Sequence, residues 1–292
     1  MMLATLLSVA LAAPMGSHED ANPLYRQLLD PGLAIGADLR AKLPPPSMAD
    51  GLDAAAQRKV IQDLIGSDYS YEEFTRKSVV APLLLKIRDV KPSDPAAPAR
   101  GVDVWCVGYG DLAAADDAKF RERLLSAGRE GGKESKGGSL TREELAKRGI
   151  MLPADDTHES YGHFGFDFLD RVRLRASGRA VWSRTPDSLL IAAEIDPRFV
   201  GDKEFPNQWQ PLTRDGGEMK AGPAAPWGGA GFYLKITKLH EPAGALFIEQ
   251  HVVFAEPTGW FDGANLLRSK LPPAVQTIVR NMRREWVKGK SP

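Results

Sequence analysis

The stretch from Ala230 to Val287 constrains the fold most. Gly231 to His240 (GFYLKITKLH) and Ala245 to Glu256 (ALFIEQHVVFAE) alternate apolar and polar residues around Glu241-Pro242-Ala243-Gly244, the pattern of a long β-hairpin. Beyond it, Val275, Ile278, Val279, Met282 and Trp286 recur at helical spacing, so one face of a helix is apolar and needs a partner. The sheet is the obvious one. Register follows the buried pattern. A five-residue loop, Glu241 to Ala245, sets Leu234 opposite Val252 and Phe232 opposite Phe254, giving one apolar face with Ile236 and Ile248. A four-residue loop would set Ile236 against Glu249. Lys235, Thr237, Glu249 and His251 then share the other face, where alternation predicts a solvated His251.

The 292 residues are 43% hydrophobic and 26% charged, enough to bury a substantial core. Lysine plus arginine and aspartate plus glutamate stand at 38 each, so no global field recruits nucleic acid or acidic membranes. Leu3 to Ala13 (LATLLSVALAA) has the length of a signal-peptide apolar region, with small residues at Ala10 and Ala12. It predicts residues 1–13 as a signal peptide and a periplasmic or secreted destination. The run is too short to be a transmembrane segment. Cys106 is the only cysteine, which excludes an intramolecular disulfide and fits a small buried hydrophobe.

Residues 14–78 form an N-terminal helical region. Leu24 to Leu29 and Ile35 to Leu43 are short helices separated by a turn at Asp30-Pro31-Gly32, and Pro44-Pro45-Pro46 stops the second. A longer amphipathic helix starts after Asp53 and ends at Gly66. Ser70 and Glu73 cap another over Tyr71 to Lys77. Residues 79–288 carry the sheet and the C-terminal helix. Val79 to Val90 and Val102 to Tyr109 are two strands joined by a proline-rich loop, with Pro82 at a strand start or edge. Asp116 to Ser126 is helical, Gly128 to Gly138 is a glycine-rich loop, and Thr141 with Glu144 caps a helix through Lys147. Phe164 to Arg175 alternates as a half-buried strand, and Ser177-Gly178 can close a hairpin setting Leu174 against Val181. Ser188 to Ile195 is a further strand, and Pro197 to Pro226 is irregular.

Templates for chemistry fail on spacing or context. Gly108-Tyr109-Gly110-Asp111-Leu112-Ala113 matches a dinucleotide fingerprint, but the next parallel strand is missing and Asp111 sets a negative charge where a pyrophosphate would sit. A strand-to-helix turn is the better reading. His158 and His163 are five apart, which separates them by roughly 140° on a helix. A metal-dependent hydrolase would therefore need a loop site built from His158, His163 and Asp167. Arg171, Arg173, Arg175, Arg179 and Arg184 form a dense basic patch, read as a solvated sheet face neutralised by Asp167, Asp170 and Asp187. No catalytic residue and no cofactor is indicated, and the sequence points to binding.

The segment from Phe164 to Trp286 resembles the C-terminal half of the START-like (Bet v 1-like, helix-grip) superfamily. The resemblance rests on Gly231-Phe232-Tyr233-Leu234-Lys235-Ile236 entering a strand, on Val253-Phe254-Ala255-Glu256-Pro257-Thr258-Gly259-Trp260, and on Leu271-Pro272-Pro273 opening the last helix. It implies a curved sheet wrapping the C-terminal helix over an apolar cavity for lipids or other hydrophobic ligands. Leu43 to Asp53 (LPPPSMADGLD) separately resembles uncharacterised exported proteins of planctomycete-type bacteria, which implies no activity. The expected fold is α+β: N-terminal helices and a mostly antiparallel sheet with a long C-terminal helix packed on it. Phe232, Leu234, Ile236, Ile248, Val252 and Phe254 then face Val275, Ile278, Val279 and Met282. These ten are candidate lining residues for a hydrophobic small molecule or lipid. A filled core without a ligand, as in an envelope structural or interaction module, is the competing arrangement.

Overall fold

Capped short helices open the chain. The computed structural model describes residues 17–35, 39–90, 99–117, 119–121, 123, 137–152, 158–261 and 266–288; the predicted signal peptide lies outside them. Ser17 and Asp20 cap α1 (His18–Ala21) reciprocally, and Asn22 caps α2 (Pro23–Leu29), which has proline in its first turn. Ile35 to Leu43 is not a helix. It belongs to a small antiparallel ribbon of β1 (Leu33–Ile35) and β2 (Leu39–Ala41). The turn before it explains the difference: Gly32 sits at φ 98°, and a Cβ there would lie 2.8 Å from the Ala41 carbonyl oxygen. Asp53 caps α3 (Ala54–Ile65), which stops at Gly66 as expected, and Ser70 caps a single turn, α4 (Tyr71–Phe74).

The rest is one antiparallel sheet. Its strands are β3 (Leu83–Val90), β4 (Ala99–Tyr109), β5 (Gly137–Ser139), β6 (Glu159–Phe168), β7 (Val172–Arg184) and β8 (Ser188–Ile195). They are followed by β9 (Gln208–Asp215), β10 (Glu218–Ala221), β11 (Ala225–Pro226), β12 (Ala230–Lys238) and β13 (Ala245–Ala255). The order β3-β4-β13-β12-β8-β7 continues through β6 and β5, while β9 joins the start of β7 and carries β10 and β11. Pro82 precedes the edge strand β3. A short helix, α5 (Arg142–Ala146), carries the reciprocal Thr141–Glu144 cap. The last helix, α6 (Leu266–Lys288), contains Pro272 and Pro273 instead of opening at them. The fold is α+β, mostly antiparallel, with α6 laid on β3 and β4.

Three local expectations are corrected. The β12–β13 loop has five residues, but they are His240 to Gly244: Leu239 bonds to Ala245, and Ala245 N–H closes the turn on the Pro242 carbonyl, with Gly244 at φ 71°. Phe232 therefore pairs with Val252, Leu234 with Gln250 and Ile236 with Ile248. The shift is two residues, so each side chain keeps its face. Ser177-Gly178 is no turn. β7 runs through it, and the reversal lies at Leu169-Asp170, both at positive φ, 53° and 57°. Gly178 serves close approach instead, since a Cβ there would lie 2.1 Å from the Glu194 carbonyl oxygen on β8. Pro197 to Pro226, expected as irregular, holds β9 to β11. Of Asp116 to Ser126, only a 3-10 turn at Leu112–Asp116 and a few following residues are described, and Gly128 to Gly138 lies almost wholly outside the described residues.

Candidate ligand-binding face

Alternation divides the central strands into two faces. On one, Ile236, Ile248 and Cys106 share a row, Leu234, Gln250 and Val104 the next, and Phe232, Val252 and Val102 the third. α6 covers the β4 and β3 side of this face. Trp286 is fully buried beside Gly108 and Gly110, where a Cβ on Gly110 would meet its ring at 2.6 Å, and Phe120 packs edge-on at 4.7 Å. Of the ten candidate lining residues, Leu234, Ile236, Ile248, Phe254, Val275, Val279 and Met282 are buried, while Phe232, Val252 and Ile278 are half-buried.

The half-buried members continue into a patch. Register places Phe164, Phe166 and Phe168 of β6 beside Ala176, Leu174 and Val172, on the same side of the sheet as Trp182. All three phenylalanines and Trp182 are half-buried. Phe168 ends the row against Phe254, Trp260 and Phe261, at 6.0 to 6.2 Å between ring centroids. The alternation of β6 is legible in the sequence, but its place on the sheet beyond β7 is not, because a turn at Ser177-Gly178 would break β7 in the wrong place. Gln250 is a half-buried amide in this otherwise apolar region. None of the ten candidates lines either the pocket of about 660 Å³ near Gly110 and Lys238 or the one of about 340 Å³ between β3 and α6.

The opposite face holds a polar network that is also buried, among apolar residues such as Phe247 and Tyr233. Lys235 is 3% exposed, Glu249 0% and His251 1%, so the predicted solvated side is wrong. Leu43 to Asp53 crosses it as a strap. Glu249 accepts the backbone N–H groups of Ser47 (2.7 Å) and Met48 (3.2 Å), and Lys235 Nζ donates to the Met48 carbonyl (2.7 Å) and contacts Asp50 (2.8 Å). Asp50 also accepts the Thr185 and Ser188 hydroxyls, and His18 sits between Ser183 (2.8 Å) and Ser188 (2.7 Å). Burial raises the Asp50 carboxyl, but hydrogen bonds from Lys235 and Thr185 outweigh it and hold the group low. Asp103 receives Arg88 through two bonds and His251 Nδ1 at 2.8 Å. Burial again opposes ionisation of Asp103, and the His251 and Arg88 bonds reverse the sign. Although it contains serine, histidine and aspartate, this cluster is walled by the strap and α2, and its carboxylates are engaged by Lys235, Arg88, His251 and the strap's own backbone.

The remaining motifs have structural roles. Asp111 caps the 3-10 turn by accepting Ala113 N–H, so the glycine motif is a strand-to-turn junction. His158 stacks on Trp182, His163 on Phe205, and Asp167 holds Arg173 through two hydrogen bonds. Among the described residues, no group of three or more histidine, cysteine, aspartate or glutamate side chains is placed to hold a metal. Arg179 pairs with Glu194 and Arg184 with Asp116, and Asp187 instead accepts Gly51 N–H. Cys106 is fully buried, and burial pushes its thiol up to about 11.

No family model matches the chain, and no curated protein matches it. Solved structures do resemble it. The human StarD13 (DLC2) lipid transfer and protein localization domain shows 9% identity and a TM-score of 0.36, over 78% of this chain and 96% of that one. Human STARD10 shows 9% identity and a TM-score of 0.35, over 82% and 84%. A protein from Rhizobium leguminosarum shows 12% identity and a TM-score of 0.34, over 66% and 98%.

Proposed function

We propose that the protein binds a hydrophobic small molecule or lipid on the sheet face under α6, with Phe164, Phe166, Phe168, Phe232 and Val252 as the contact surface. One observation carries this reading: on the sheet face that holds buried Leu234, Ile236 and Ile248, these five apolar side chains remain half-buried, and Phe168 meets Phe254, two residues along β13 from Val252. Covering such a patch with an apolar guest removes it from water at about 25 cal/mol per Å². Gln250 supplies the kind of isolated polar group that orients a ligand's hydroxyl or carbonyl. We also propose that the chain acts outside the cytoplasm, supported by the apolar run Leu3 to Ala13; a cytoplasmic protein retaining that run would contradict this.

Gentle purification followed by mass spectrometry of an organic extract tests the binding reading. A co-purifying apolar molecule, lost in Phe166→Glu, is the expected result. An extract without one, together with no uptake of a long-chain alcohol, leaves a sheet-and-helix module with no ligand.

A further inference from the structure

A pocket of about 340 Å³ opens between the edge strand β3 and α6, and no residue of the proposed contact surface lines it. Its size is at the small end of the ~300–1,000 Å³ typical of ligand sites. Val80, Pro82, Leu83, Leu85 and Pro272 make apolar walls, while Gln276, Arg280 and Arg283 are polar; no aspartate or glutamate lines it. Arg283 is 3% exposed. Its guanidinium donates to the carbonyls of Val107 (2.8 Å), Val79 (3.2 Å), Ala81 (2.6 Å) and Pro82 (2.9 Å). Those bonds use four of five N–H groups and solvate the cation without neutralising it. Burial disfavours the charged guanidinium, and Arg76 adds a smaller like-charge effect in the same direction. Arg280, one turn earlier on α6, presents a second guanidinium to the same space.

We propose that this pocket binds a small amphiphilic anion, a medium-chain carboxylate whose headgroup meets Arg280 and Arg283 and whose chain lies against Val80, Leu83 and Pro272. Both parts of the ligand have a reason to be there. A carboxylate supplies the counter-charge that the protein leaves out: the exposed Arg280 guanidinium can match it through paired N–H donors, while Arg283 adds its charge and its one remaining N–H. The chain covers apolar wall that water otherwise wets.

Calorimetric titration of the full chain with octanoate, octanol and octylamine tests this. Saturable octanoate binding is expected, weakened by salt, with octanol about tenfold weaker or worse and octylamine not binding. Arg283 holds four carbonyls, so substitutions are placed at the exposed Arg280 and Gln276. Arg280→Glu should cost octanoate about tenfold, and Gln276→Trp should block it, while thermal unfolding stays near wild type. Phe166→Glu, which disables the contact surface under α6, should leave octanoate binding intact, so the two sites fail separately. Equal binding of octanoate and octanol, no octanoate binding, or unchanged octanoate affinity in both Arg280→Glu and Gln276→Trp would overturn the proposal.

Discussion

His251 shows what single residues conceal. In the sequence it alternates with Glu249 on what resembles a solvated strand face, yet both are buried because Ser47, Met48 and Asp50 arrive from two hundred residues away to meet the charges. Nothing local to β13 records that strap. Leu43 to Asp53 was legible as a motif but not as a counterpart to Lys235 and Glu249, since pairing across the fold leaves no periodicity. Removing one member of such a buried group strands the others. Asp103→Asn leaves Arg88 and His251 without their carboxylate and should destabilise by about 3–5 kcal/mol in urea unfolding; a loss within ~0.5 kcal/mol would show that the network is wet.

The two buried histidines of this face have opposite pH signatures. Burial takes His18 from 6.5 down to about 4, with Asp50 holding it up in part and Lys235 and Arg184 pushing it down. In that window the unfolded chain takes up a proton that the folded chain refuses, so this contribution is present above 6.5 and lost as pH falls through about 4. Burial also lowers His251, but Asp103 and Glu249 outweigh it and raise the group. Its contribution is present below 6.5 and fades as pH rises through the folded value. His18→Gln should therefore shrink the stability difference between about pH 7 and about pH 4.5 by on the order of 2 kcal/mol. An unchanged difference would contradict a neutral His18.

At the scale of elements, alternation located β12, β13 and β8, and helical spacing located the buried stripe of α6, because each pattern repeats within its own segment. Turns were less legible. Leu169-Asp170 carries no glycine although both residues take positive φ, whereas Gly178, which looks like a turn signal, makes room for the β8 backbone. Arg283 was missed for a related reason: a charged residue beside Val279 and Met282 reads as the polar side of the helix, and only the carbonyls of residues 79, 81, 82 and 107 make its burial tolerable. Val279 lies in the closed part of the α6 contact, at 3% exposure. Val279→Trp should cost about 1–3 kcal/mol by overpacking, read as a lowered thermal midpoint. A variant as stable as wild type would mean that space remains under this turn of the helix.

In the whole molecule the sheet separates two unlike interiors. The N-terminal region closes a charged, hydrogen-bonded network beside a second apolar cluster, with Met48, Phe74 and Phe247, on one side, and α6 closes only part of an apolar layer on the other. The sequence revealed the apolar layer as a set of residues, but not which would stay half-buried, since that depends on β6 adding to the sheet beyond β7 and bringing Phe168 against Phe254. The account stands on this partly covered patch accepting an apolar guest. Photolabelling measures it most directly: a long-chain alcohol bearing a diazirine is crosslinked to the purified protein, and the labelled residues are read by peptide mass spectrometry. The account predicts saturable label on β6, β12 and β13 at Phe164, Phe166, Phe232 or Val252, displaced by unlabelled alcohol. Label scattered over the exposed surface without saturation, or confined to the N-terminal face, would contradict it.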